Sequence, residues 1–168
     1  GEFQYFNKFL FELGKQKPDL ALQLIDISEL DPFLIHLIAG IWSSPQKKKA
    51  KRIIGEWTLA GKHLSISARV FDYVEEIDEK LLSKIFTKAE AKKDIQALNN
   101  ITGSIVRNYP KYKTTKKLFI KTLKELTKNK NYWWIQNVWF RGESILKDFS
   151  EKDFDVLLEN LLMFPHID

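Results

Sequence analysis

The stretch from Lys62 to Ile77 is apolar on two faces at once, and that limits what kind of fold can hold it. At helical spacing Leu64, Ala68 and Phe71 fall on one side, and Ile66, Val70, Tyr73 and Ile77 on another. A helix that is greasy on two sides must be covered on two sides. The preceding stretch pairs with it. Ser44-Pro45 reads as a helix start, a capping hydroxyl followed by proline at the first helical position. Ala50, Ile53, Ile54 and Trp57 keep the spacing of one face, and Gly61 closes the helix. The unit is a helical hairpin, 44–77, that cannot bury itself alone and needs neighbours.

The rest of the chain reads the same way. A first helix covers 3–13 and ends at Gly14; Pro18 starts a second, 20–27; Asp31-Pro32 opens a third, 33–42. Asp78 caps a helix carrying Leu81, Leu82, Ile85 and Phe86, and another runs from about 91 to 109, where Pro110 stops it. Thr114 or Thr115 caps the next, with Leu118, Phe119, Leu123 and Leu126 inward. Asn131 caps an aromatic helix to about Phe149. Ser150 and Asp153 form a capping-box start for the last helix, Phe154 to Met163. No window alternates with a period of two, so the chain is expected to be all-α, with about nine or ten helices. The caps of alternate helices, Ser44, Asp78, Thr114 and Ser150, lie 34, 36 and 36 residues apart. Such a near-constant interval is the signature of stacked helix pairs.

This pattern resembles a HEAT-like α-solenoid over residues 15–163, and the resemblance implies an α-α superhelix of antiparallel helix pairs. Gly40, Gly55, Gly103 and Gly142 fall inside predicted helices, where each costs roughly 1 kcal/mol relative to alanine. Close approach of neighbouring helices is the expected compensation. The last helix has no predicted partner, which suggests that residues 1–168 form a single fragment of a longer array. Gly1-Glu2-Phe3 matches what a common restriction site encodes and is given no weight. The phrase from Leu37 to Leu64, with Ser43-Ser44-Pro45 and a Trp57–Leu64 helix end, also looks like the C-terminal arrays of large bacterial multidomain NTPases of the STAND type. That likeness implies a sensing or regulatory role.

Composition narrows the chemistry. There is no cysteine, which removes disulfides and thiolate metal sites and fits a reducing, cytoplasmic setting. The longest charge-free run, Pro32 to Gln46, is 15 residues, too short to span a bilayer, so no membrane partner is expected. Net charge is +5 but uneven: residues 107–130 carry +8, and those from Glu143 onward −5. No phosphate-binding loop, nucleophile elbow or H-E-x-x-H motif is present, and His36, His63 and His166 lack ligand spacing. Neither a cofactor, a metal, nor a small-molecule substrate is expected.

Two groups of residues stand out as candidate sites. On the aromatic helix, Ile135, Val138, Trp139 and Leu146 form the main apolar face, while Trp133, Asn137, Phe140 and Arg141 lie nearly opposite. That second group is either a partner-binding patch, rich in hot-spot residue types, or a face packed on the next helix pair. The other group is basic. Lys117, Lys121, Lys124 and Lys128 share one helix face, and Lys47, Lys48, Lys49, Lys51 and Arg52 crowd a helix start, where the macrodipole disfavours cations. A phosphate-bearing partner would explain them, and so would an ordinary solvated face. Tyr132-Trp133-Trp134 faintly resembles the Trp-rich segment of HEAT-like alkylpurine DNA glycosylases, but no acid follows it before Glu143, which speaks against that activity. The expected function is therefore a non-enzymatic helical-repeat interaction module. It would bind a protein, or other domains of its parent chain, through a concave surface and the Trp133 region. Nucleic-acid binding through the lysine faces is the alternative.

Overall fold

In the computed structural model, residues 3–162 are described, and among them every regular element is helical; no strand is present. The elements are α1 (Gln4–Gln16), α2 (Pro18–Leu24), α3 (Leu34–Trp42), α4 (Lys47–Ala60), α5 (Leu64–Val74), α6 (Glu79–Lys92), α7 (Ile95–Asn108), α8 (Lys116–Lys128), α9 (Trp134–Arg141), α10 (Glu143–Lys147) and α11 (Glu151–Leu161). Short 3-10 turns, Ser28–Phe33 and Lys113–Thr115, lead into α3 and α8. The chain is all-α, as its periodicity predicts. Gly1, Glu2, Met163, His166 and Asp168 lie outside the described residues, as does the side chain of Phe140.

Most ends follow the local chemistry. Gly61 takes the left-handed conformation (φ 67°) just past α4, and the Lys62 N–H returns to Trp57 O at 2.8 Å. Asp78 accepts from Leu81 N–H at 3.1 Å, and Ser150 and Asp153 close a full capping box on α11. Asp94, not singled out in the sequence, caps α7 by accepting from Ala97 N–H at 3.0 Å, so α7 starts later than expected. Ser44 does not cap α4. Its hydroxyl donates to Ile41 O at 2.6 Å and accepts from Gln46 N–H at 3.0 Å, which fastens the turn after α3 and delays α4 to Lys47. The threonines before α8 make no side-chain cap either; Thr115 bonds back to Tyr112 O.

The expected aromatic helix is broken in two at Gly142. A Cβ there would lie 2.5 Å from Val138 O and 2.7 Å from Val138 Cα, so this bend tolerates only glycine. Gly14 does not end α1 but lies inside it, buried, directly against Gly40 of α3. A Cβ on Gly40 would fall 2.2 Å from Phe11 O, and one on Gly14 2.5 Å from Leu37 O. The two backbones touch, and nothing larger than hydrogen fits between them. Gly55 is the opposite case: no atom lies within 4 Å of where its Cβ would stand. Close approach therefore accounts for Gly40, while Gly55 faces open space.

The helices form two layers. α1, α3, α5, α7 and α9 pack in succession on one side, and α4, α6, α8 and α11 on the other. Hairpin partners α3/α4, α5/α6 and α7/α8 join the layers, so successive hairpins lie side by side. One continuous core runs through them, from Leu37 and Ile41 past Ile54, Phe71 and Ile85 to Ile101, Phe119 and Leu126. As expected for a two-faced helix, Ala68, Val70 and Phe71 of α5 are fully buried; Tyr73 instead reaches the surface.

Polar side chains stitch neighbouring hairpins at separations from 32 to 39 residues. Ser104 donates to Ala68 O and Asp72, Asn108 to Phe71 O, and Asn100 to Ser65 O, all across the α5–α7 contact. One arrangement recurs. Buried Trp42, at the end of α3, donates its indole N–H to Glu76 at 2.9 Å, and Lys47 pairs with the same carboxylate. Buried Tyr109, just after α7, donates to Asp148 at 2.7 Å, and Lys113 pairs with that one. Burial and the Asp148 hydrogen bond push the Tyr109 phenol up to about 12. Asn160 closes the far end: it is fully buried, accepts from Trp134 and donates to Thr127 and Asn131 O.

Candidate functional site

The aromatic helix presents its predicted patch only in part. Trp133 precedes α9, is 62% exposed and lies against Tyr132 with ring centroids 6.5 Å apart. Asn137, one turn on, is half-buried and packs over Gly103 of α7, where a Cβ would come within 3.3 Å of its amide. Arg141 ends α9 and is exposed. The backbone places Phe140 on α9, and its side chain lies outside the described residues. The face that holds Asn137 is thus partly packed against the adjacent hairpin and partly free.

Burial divides the tryptophans differently from helical arithmetic. Trp134 is the buried one, held by Asn160, while Trp139, assigned to the apolar face, is 81% exposed. The difference lies in coverage: Asn160 of α11 closes on Trp134, while Trp139 lies at a groove edge. What remains is an apolar groove of about 480 Å³ between α9, α10 and α11, edged by Trp139, Val138, Leu146 and Leu157.

Beside Arg141 the same layer carries a charged cluster that the sequence did not flag. Asp72 of α5 accepts from Ser104 at 2.9 Å and lies 3.7 Å from Arg107. Burial raises its pKa, against the Ser104 hydrogen bond and the charges of Arg107, Arg69 and Arg141. Next to it, Arg69 lies over the Tyr73 ring, and His36 meets that ring edge-on at 5.0 Å. Burial, with Arg69 nearby, holds His36 below its ordinary value and so favours the neutral imidazole. These residues come from α3, α5, α7 and α9, far apart in sequence. Only the recurrence of one arginine on each of α5, α7 and α9 would have pointed to them.

The two basic groups differ sharply. At the start of α4, Lys47 pairs with Glu76 at 2.5 Å, Lys49 with Asp19 at 3.3 Å and Lys51 with Asp78 at 2.8 Å; Arg52 pairs with Glu56. Lys47 and Lys51 also lie 5.4 and 5.1 Å from the Trp42 ring. Neighbouring hairpins thus supply a reason, inside the chain, for cations at that helix start. Burial works to raise Glu76 and Asp78, but the lysines and hydrogen bonds outweigh it and hold both carboxyls low. On α8, by contrast, Lys117, Lys121 and Lys124 are exposed and meet no carboxylate of the described residues; Lys128 meets Glu125 at 3.3 Å. Lys48 is likewise unpaired. Lys121 and Lys124 edge a groove of about 390 Å³ between α6 and α8.

Among the described residues no cluster of His, Asp and Glu is spaced to hold a metal ion, and no helix is long and apolar enough to cross a membrane. Compared with known protein families, curated proteins and solved structures, the chain matches none.

Proposed function

We propose that this chain is a non-enzymatic interaction module, a HEAT-like superhelical array of helix pairs that belongs to a larger cytoplasmic protein. Its partner is another protein or another part of the same parent chain. The contact surface runs from Trp133 across Asn137, Phe140 and Arg141 towards Arg107 and Asp72. The observation that supports this most is the exposed Trp133 on the same face as an exposed arginine, two residue types that dominate binding energy in interfaces. The missing cysteines fit the cytoplasm, and the likeness to STAND-type arrays fits a bacterial regulatory role. Affinity capture from cells expressing the whole parent protein tests the surface. Trp133→Ala and Arg141→Glu are expected to lose partners that the unaltered chain retains; unchanged capture by both overturns the assignment.

A second reading rests on Lys117, Lys121 and Lys124 along α8, which meet no carboxylate of the described residues. They suit a phosphate backbone, and binding would weaken steeply with salt. A gel-shift titration at low salt that detects no complex removes it.

A further inference from the structure

An open apolar groove of about 610 Å³ lies between α4 and α6. Gly55 leaves its floor bare, and Ala91 adds only a methyl. Thr58 and Thr87 line it too, but their hydroxyls are spent on their own helices, on Ile54 O at 2.7 Å and Ser83 O at 3.1 Å. What they leave for an occupant is hydrocarbon. Leu59 stands at the edge, 79% exposed. The rim is basic: Arg52 is taken by Glu56, while Lys84 and Lys88, one turn apart on α6, meet no carboxylate of the described residues. Each wall is a helix of 14 residues, about 20 Å long at 1.5 Å per residue, enough to hold several turns of another helix.

The complement is present elsewhere in the chain. α11 buries Val156 and Asn160 against α8 but turns a second apolar stripe outward, Phe154, Leu158 and Leu162, at intervals of four residues. Beside it runs a line of exposed acids, Glu151, Asp155 and Glu159, also four apart. The stripe matches the hydrocarbon floor, and carboxylates one turn apart match Lys84 and Lys88, one turn apart. We propose that the α4/α6 groove binds an acidic amphipathic helix, and that α11 of a second copy of this chain supplies it. A nucleic acid fits the groove poorly, because no aromatic ring lines it for base stacking and its floor offers phosphates nothing. The contact joins two different patches. It therefore either closes reciprocally into a dimer or propagates from copy to copy. It involves none of the residues placed on the α9 surface, so the two proposals stand or fall separately.

Sedimentation equilibrium of the whole chain tests it, at concentrations up to about 1 mM, the range of a weak specific contact. The expected result is a mass above that of one chain, with association weakened by salt. Gly55→Leu fills the floor where no atom stands in its way, so it is expected to keep the thermal unfolding transition and weaken association about tenfold or more. K84E/K88E and D155K/E159K are each expected to fail alone and to associate when mixed, since in the mixture each groove meets an α11 of opposite charge. A chain that stays monomeric at the highest concentration overturns the proposal. So does association that Gly55→Leu leaves unchanged, or a mixture that fails to recover. Saturable capture of a DNA duplex that Gly55→Leu abolishes would assign the groove to nucleic acid and overturn it equally.

Discussion

Two contacts between helices of the same layer start from the same sequence signal and end in opposite states. Where α1 crosses α3, Gly14 and Gly40 bring the backbones together until a single methyl would collide with main-chain atoms. Between α4 and α6, Gly55 sits in a helix of equal quality and meets nothing within 4 Å. A glycine inside a helix thus reports a need for space without saying whether a neighbour fills it. At the first contact the neighbour is another backbone; at the second the space stays open, and the two helices are tied instead at their ends, where Lys51 of α4 reaches Asp78 at the start of α6 and Lys92 of α6 donates to Gly61 O at 2.8 Å.

The sharpest way to break this contrast is at the crossing. Gly40→Ala is expected to destabilise the chain by about 3 kcal/mol or more, because its Cβ meets backbone that cannot swing aside. Denaturant unfolding measures it, and a change within 0.5 kcal/mol would mean that the helices part at little cost. Next comes the tie. Asp78→Ala removes both the cap on Leu81 N–H and the ion pair to Lys51, at an expected cost of about 1–2 kcal/mol in the same assay. Gly55→Ala should go the other way, raising stability by about 0.5–1 kcal/mol, since alanine suits a helix better and has room here.

The smallest effect is electrostatic. Glu76 and Asp78 are held below their ordinary values of 4.5 and 3.8 in the fold. A carboxyl whose pKa is depressed on folding stabilises above its unfolded value, so this contribution is complete above about pH 4.5 and fades as pH falls through the lower, folded values. Thermal melts are expected to show Glu76→Gln less stable than the parent chain at pH 7, with the gap narrowing as pH falls below about 4.5. A gap that does not narrow with falling pH would mean that the loss is not one of charge.

Helix content was legible because it depends on local patterns: apolar residues three and four apart, Asp78 and Ser150 as caps, Gly61 in the left-handed conformation. What escaped depends on contacts between helices distant in sequence. Gly14 looked like a stop signal because its partner, Gly40, lies a whole helix away in sequence. Trp134 and Trp139 could not be sorted by a 100° wheel, since Trp134 is buried against Asn160 of α11, 26 residues on. The lysines of α4 and α8 read alike as sequence, yet Lys47 and Lys51 face acids beyond their own helix, while Lys117, Lys121 and Lys124 face none among the described residues. Charge is written in the sequence; its neutralisation is written in the packing. The groove beside Gly55 carried only the signal of a glycine inside a helix, which Gly40 shares.

The hydrogen bonds from Ser104, Asn108 and Asn100 onto the backbone of α5 constrain motion as well as stability. Sliding α7 along α5 by one turn, about 5.4 Å, would strand all of them at once in a buried contact, where each orphaned group costs about 1–3 kcal/mol. Tilting the same helices apart by a few degrees strands none. Under load, then, the hairpins should splay like the leaves of a book while refusing to shear. The distance between surfaces on successive leaves then stays fixed along the helix axes even as the angle between them breathes.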